Sequence, residues 1–194
     1  MKEEQNMEEK GCTANVVLIV PEDPEAKTPP TLYCANAGDS RCVMGSLGKA
    51  TGLSFDHKPT NPSERQRITR AGGFVNHEGR VNGNLNLSRA IGDLTYKKNK
   101  RLQPKDQAIT AFPDIRVQQI TNKLDFVVMG CDGIWEFHTN QQVVDNIYLQ
   151  MQRKVKITKI CENWLDTCLS PNVTRTMGKG CDNMSMILID FRKQ

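Results

Sequence analysis

Six short runs of apolar and β-branched residues, at positions 14–20, 31–35, 41–44, 115–120, 126–130 and 184–191, outnumber the helical segments and constrain the fold more than any other feature. A parallel sheet needs a crossover, usually a helix, between successive strands, and these runs follow one another with few helices between them. An antiparallel α+β architecture is therefore expected. Between the second and third runs lies Asn36-Ala37-Gly38-Asp39-Ser40, whose glycine and aspartate supply turn chemistry and predict an antiparallel hairpin. Asn61-Pro62-Ser63-Glu64 gives a capping residue, a proline at the first helical position and a glutamate three residues on; Gly72-Gly73 ends that helix. Thr139 with Gln142 repeats the capping box ahead of Val143, Val144 and Ile147. Ile157, Ile160, Cys161, Trp164, Leu165 and Cys168 recur at helical spacing, the mark of a core-facing stripe rather than a ligand box.

A chain of 194 residues suits one domain, 1–194, with a real core. The segment 56–110 has few strand patterns and many polar and glycine residues, and reads as a flap-like excursion of the kind that is usually functional or mobile. The net charge of +4, from 26 basic and 22 acidic residues, does not point to a polyanionic partner. Seven cysteines with no Cys-x-x-Cys pair read as reduced, intracellular thiols, with the cytoplasm as the expected compartment. The first ten residues carry four glutamates and form neither a signal nor a transit peptide, and the longest apolar run, 16–20, is too short to cross a bilayer. No membrane association is expected. Asn86, Asn172 and Asn183 begin Asn-x-Ser/Thr triplets of the kind that arise by chance.

Three aspartates lie near ends of apparent strands beside glycine: Asp39 in Ala-Gly-Asp-Ser-Arg, Asp132 in Gly-Cys-Asp-Gly and Asp182 in Gly-Cys-Asp-Asn. Carboxylate oxygens suit Mg²⁺ and Mn²⁺, although turn chemistry alone would explain any single one of the three. Zinc is disfavoured, because His57, His77 and His138 are isolated and the cysteines lack paired spacing. There is no Gly-x-Ser-x-Gly elbow and no Walker-type loop. The lysines and arginines at 97–101 and 154–159 lack interleaved aromatics beyond Tyr96, so nucleic acid is not an expected partner.

Seven segments together resemble the ordered motifs of type 2C, metal-dependent serine/threonine protein phosphatases. They are Gly11-Cys12-Thr13-Ala14, Ala35-Asn36-Ala37-Gly38-Asp39-Ser40-Arg41, Leu53-Ser54-Phe55-Asp56-His57-Lys58-Pro59, Arg80-Val81-Asn82-Gly83, Leu87-Ser88-Arg89-Ala90-Ile91-Gly92-Asp93, Cys131-Asp132-Gly133-Ile134-Trp135-Glu136 and Cys181-Asp182-Asn183-Met184-Ser185. The resemblance implies a sandwich of two antiparallel sheets flanked by helices, with a pair of Mg²⁺ or Mn²⁺ ions at one edge and a phosphoprotein as substrate. It makes Asp132 and Asp182 ligands of the metal pair, and Asp39 the aspartate that helps hold a weaker third ion. Arg80 is implied to lie near the phosphopeptide, and 56–93 to form the flap. Asp93 matches a motif aspartate whose plainest role is to fix the flap's turn geometry.

The family also carries an Asp-Gly-His-Gly-Gly motif, a phosphate-gripping arginine and a glutamate ligand earlier in its chain, and the sequence contains no such motif. No residue of this sequence is therefore expected to serve as the catalytic acid. The match corresponds to the C-terminal two thirds of a catalytic domain, and the partner expected is the N-terminal segment or a protein that covers the sheets. Two readings follow: part of a longer active phosphatase, or a truncated, inactive relative acting as a binding or structural module.

Overall fold

The computed structural model describes residues 10–25, 27–170 and 180–192. The acidic opening at 1–9 and Asn172 lie outside them. Nine strands are present among the described residues: β1 (Gly11–Cys12), β2 (Ala14–Val20), β3 (Thr31–Ala37), β4 (Arg41–Ser46), β5 (Lys49–Gly52), β6 (Ile91–Gly92), β7 (Asp114–Gln119), β8 (Leu124–Gly130) and β9 (Met186–Asp190). Four helices accompany them: α1 (Pro62–Arg70), α2 (Asp132–Trp135), α3 (Asn140–Gln152) and α4 (Ile157–Cys168). The strands form a three-stranded sheet in the order β2-β3-β7, a four-stranded antiparallel sheet in the order β5-β4-β8-β9, and the short pair β1-β6.

The expected hairpin at 36–40 does not form, because β3 and β4 enter different sheets. The turn's polar groups are taken locally: Asn36 Nδ2 donates to the carbonyls of Gly38 (3.1 Å) and Phe55 (2.9 Å), and the Gly38 N–H donates to His57 Nδ1 (3.1 Å). Gly38 sits at φ 124°, a conformation that a side chain would strain. The chain is thereby turned from one sheet to the next instead of folding back on itself.

Contacts divide the chain into two compact units. The second comprises Val17–Cys34, Arg41–Ser54 and Arg116–Gln194. Its central strand β8 is apolar from Phe126 to Met129 because both faces are covered there. Phe126 and Val128 face a cluster built with Val43, Ile134, Val143, Ile147, Ile160 and Trp164, where the amphipathic faces of α3 and α4 pack. Val127 and Met129, on the alternate face, meet Leu32, Cys34 and Cys42, which is the packing of the two sheets on one another. Gly45, opposite Phe126 in the ladder, leaves room for the ring, since a Cβ there would lie 2.4 Å from Phe126 Cζ. Thr139 caps α3 as the sequence predicts, with Gln142 N–H donating to its Oγ1 at 3.2 Å and the Thr139 N–H to Gln142 Oε1 at 2.9 Å.

The first unit comprises Met1–Val16, Ala35–Ser40 and Phe55–Ile115. It contains the whole segment expected to be a flap, and that segment has a core of its own in Ile68, Val81, Ala90 and Ile109. Helix α1 starts at Pro62 and stops where Gly72 turns to φ 93°, as expected. Its cap differs from the sequence reading: Asn61 Nδ2 donates to the Asp56 carbonyl at 2.9 Å, and Glu64 points into a buried ion network instead of back to the helix start. All seven cysteines are free thiols. Among the described residues no helix is long and apolar enough to cross a membrane.

Candidate functional site

In the second unit, β8 runs out at Gly130 and the chain turns at once into α2, whose first residue is Asp132. Trp135 Nε1 donates to the Gly130 carbonyl at 2.9 Å and the Ile134 N–H to Cys131 at 3.1 Å, so the turn is fixed from inside the core. Asp132 is half-buried, and its Oδ1 accepts the Gly133 N–H at 3.0 Å. Cys131 joins this turn to the segment before β9: its Sγ accepts from the Ser185 N–H at 3.3 Å and donates to the Asn183 carbonyl at 3.4 Å. That clamp brings Asp182 alongside, because a Cβ built on Gly133 would lie 3.6 Å from Asp182 Cβ and 2.8 Å from Met184 Cγ. Asp182 is exposed, and its Oδ1 accepts the Asn183 N–H at 2.8 Å.

A third carboxylate, Glu136, follows Asp132 by four residues, at the C-cap of α2, and lies 3.5 Å from the Gly180 amide nitrogen. The sequence reading passed over it, although an i, i+4 pair of acids across one helical turn was the available signal. The donors fit a hard divalent cation in kind, being carboxylate oxygens at an open edge. Among the described residues no three His, Cys, Asp or Glu side chains converge closely enough to hold an ion by themselves. Mg²⁺ takes about six oxygens and keeps several waters, so Asp132 and Asp182 would supply a fraction of the shell.

Gly133 is what lets these two segments approach. Gly133→Ala is expected to destabilise the protein by about 1–3 kcal/mol through overpacking against Met184, read as a Tm lower by several degrees. An unchanged Tm would mean that the 182–184 segment yields without cost.

In the first unit, Asp39 is buried and paired with the Lys58 ammonium. A cation at Asp39 would have to displace that ammonium. Beside it, His57 is buried; its Nδ1 accepts from Gly38, so the proton resides on Nε2, which donates to Asp114 Oδ2 at 3.0 Å. The His57 carbonyl accepts the Ser88 N–H at 3.0 Å, and the Ser88 hydroxyl, fully buried, lies 2.8 Å from the same carbonyl and 2.5 Å from Glu64 Oε2. Glu64 also receives Arg67 Nη1 at 2.6 Å and Arg89 Nη2 at 2.7 Å, while Arg89 Nη1 reaches Asp114 Oδ1 at 2.7 Å.

Burial pushes the Glu64 carboxyl up, but the hydrogen bonds of Arg89 and Ser88 and the charge and hydrogen bond of Arg67 outweigh it and hold the group below the ordinary carboxylate value. Asp114 is likewise lowered: burial opposes, and the hydrogen bonds of His57 and Arg89 with the charge of Arg89 prevail. None of this network was singled out in the sequence for chemistry, because its members are far apart along the chain.

Arg80 is exposed, and its Nη1 donates to the Asn84 carbonyl at 2.6 Å, closing its own loop. Asp93 is buried in the left-handed region at φ 50°, with its N–H donating to the Lys10 carbonyl at 2.8 Å. Burial raises its carboxyl above the ordinary value, against the opposing charge of Lys97. Its carboxylate rests so closely on Gly11 that a Cβ there would lie 2.2 Å from Oδ2.

The family profile described as protein phosphatase 2C matches residues 1–177. The chain belongs to the protein phosphatase 2C family. It is 49% identical over 183 residues to a probable protein phosphatase 2C 11 of Oryza sativa subsp. japonica, covering 94% of this chain and 48% of that protein. A protein phosphatase 2C homolog 2 of Hypocrea jecorina is 50% identical over 184 residues, covering 95% of this chain and 40% of its own length. The chain thus spans about half the length, or somewhat less, of these curated relatives. Among solved structures, a phosphatase from a pathogenic strain of Toxoplasma gondii aligns with a TM-score of 0.72 at 28% identity, covering 95% of this chain and 65% of that one. A serine-threonine phosphatase 2C of the same organism aligns at 0.75 with 22% identity, over 98% of this chain and 61% of that one, a likeness of fold. The protein phosphatase 2C fold, mixed α+β with antiparallel sheets, is therefore that of this chain.

Proposed function

We propose that this chain is part of a metal-dependent hydrolase of phosphoserine and phosphothreonine in proteins, acting in a longer polypeptide that holds a complete metal site. The observation that carries the reading is the juxtaposition of Asp132 and Asp182 at the end of β8, within a protein phosphatase 2C sequence. Mg²⁺ or Mn²⁺ is the cation their hard oxygens suit, with Asp39, already engaged by Lys58, as a weaker contributor. When bound, a metal pair supplies an activated water and neutralises the charge of the transferring phosphoryl group. The chain's own residues would hold the cations: Asp132 on a turn locked by Trp135, Asp182 through the Cys131 clamp. Arg80, at an exposed loop, is the proposed contact to the phosphopeptide. The seven free thiols are in keeping with a cytoplasmic setting.

The segment or protein that completes the site has a surface to cover. In the second unit Leu18 and Val117 lie 58% and 59% exposed, on strands of the β2-β3-β7 sheet. A polypeptide carrying the upstream Asp-Gly-His-Gly-Gly motif is expected to hydrolyse a phosphoserine peptide only with Mn²⁺ or Mg²⁺ and to stop on addition of a chelator. The 194 residues alone are expected to show no turnover above background. Chelator-resistant hydrolysis would sink the metal-dependent reading, and an inactive long form that still binds partner proteins would leave the binding-module reading in its place.

A further inference from the structure

Two adjoining cavities in the first unit take no part in the proposed chemistry. One, of about 470 Å³, lies between α1 and the 102–114 segment; the other is about 360 Å³, and the two share Leu102, Lys105, Thr110 and Phe112. The acids Glu64 and Asp114 on the wall of the first are already answered by Arg67, Arg89 and His57. What remains there is Arg70 and Lys105 against Asp106. Arg70 and Lys105 are exposed and have no ion-pair partner among the described residues.

The segment that lends Lys97, Leu102, Pro104 and Lys105 to the smaller cavity is basic in sequence. Lys97, Lys98, Lys100, Arg101 and Lys105 fall between positions 97 and 105 with no acid among them. Phe112, 58% exposed, stands on both cavities, and Leu102, Pro104 and Pro113 continue the apolar wall of the smaller one. A 3₁₀ turn at Pro104–Asp106 and the Thr110 hydroxyl, donating to the Pro104 carbonyl at 2.9 Å, give this wall a defined shape. A concave site with an aromatic anchor and, in Arg70 and Lys105, two cations without an ion-pair partner among the described residues matches a ligand that is both anionic and apolar.

We propose that this double cavity docks an acidic peptide segment of a partner protein, with an apolar side chain against Phe112 and carboxylates facing Arg70 and Lys105. A nucleic-acid backbone fits less well. Phe112 is the one aromatic among the described residues that line the two cavities, where single-strand binders stack successive bases on several. The site involves neither Asp132 nor Asp182, so it can be right or wrong independently of the phosphatase reading.

The test is fluorescence anisotropy with the full 194-residue chain and a labelled peptide of aspartates and glutamates around one leucine. Binding is expected, and it should weaken as salt is raised. Arg70→Glu combined with Lys105→Glu should weaken it by about tenfold or more, and Phe112→Ala by about fivefold. All three positions are exposed, and a thermal melt of each variant checks that the fold persists. Lys49→Glu, an exposed charge reversal in the second unit, should leave binding unchanged. The proposal is overturned if the peptide does not bind, if the double reversal binds as the parent does, if Lys49→Glu weakens binding equally, or if an oligouridylate of the same charge binds as tightly as the peptide.

Discussion

In a polypeptide that carries the whole catalytic domain, Asp132→Asn is expected to lower metal-dependent turnover of a phosphoserine peptide by about a hundredfold or more. The substitution keeps the side chain's shape and an oxygen able to accept the Gly133 N–H, so α2 should start as before. What it removes is a negative charge where cations are to be held, and charge neutralisation with positioning is most of what phosphoryl transfer requires. Asp39→Ala should cost less at saturating metal, because Asp39 is already neutralised by Lys58. The two variants are compared by steady-state rates across a Mn²⁺ titration, with calorimetry reporting metal affinity separately. Turnover by Asp132→Asn within a few-fold of the parent, at unchanged affinity, would remove Asp132 from the metal site.

The elements legible in the sequence were those whose pattern is local. The Thr139 capping box, the apolar stripe from Ile157 to Cys168 and the apolar run of β8 each depend on neighbours a few residues away, and each appears in the structure. Strand β5 was missed because its turn uses Leu47 and Gly48 at positive φ, and leucine is not a residue that signals such a turn. Helix α2 is four residues long, too short for any periodicity. The hairpin at 36–40 was predicted from sound turn chemistry and failed because Asn36 and Gly38 spend their polar groups on Phe55 and His57. Asp132 and Asp182 were singled out through the family resemblance; their adjacency rests on Gly133 and Cys131, which no local pattern reveals. The Glu64 network joins positions 57, 64, 67, 88, 89 and 114, and its partners could be paired only once the fold was known.

That network sets the second large effect. Glu64→Gln is expected to destabilise the protein by roughly 3–5 kcal/mol, the cost of breaking a buried ion pair from one side. The Glu64 side chain is 3% exposed and its arginine partners 13% and 12%, so solvent cannot replace the lost charge. Arg89 keeps Asp114, but Arg67 is left with neutral acceptors alone, the carbonyls of Ser88 at 2.5 Å, Gln107 at 3.1 Å and Ala108 at 3.4 Å. Those bonds tie α1 to the 88–90 and 107–110 segments around Ile68, Ala90 and Ile109, so the loss should fall on the whole cluster. Because the folded state holds the Glu64 carboxyl below its unfolded value, its contribution is present in full above the ordinary carboxylate range and is lost as pH falls through the depressed folded value. Urea unfolding should accordingly show the parent well above Glu64→Gln at neutral pH, with the gap closing in acid. A Tm lower by on the order of 10 °C at neutral pH would accompany it. A gap that stays constant down to strongly acidic pH would show that Glu64 acts through shape and packing, with its charge contributing nothing.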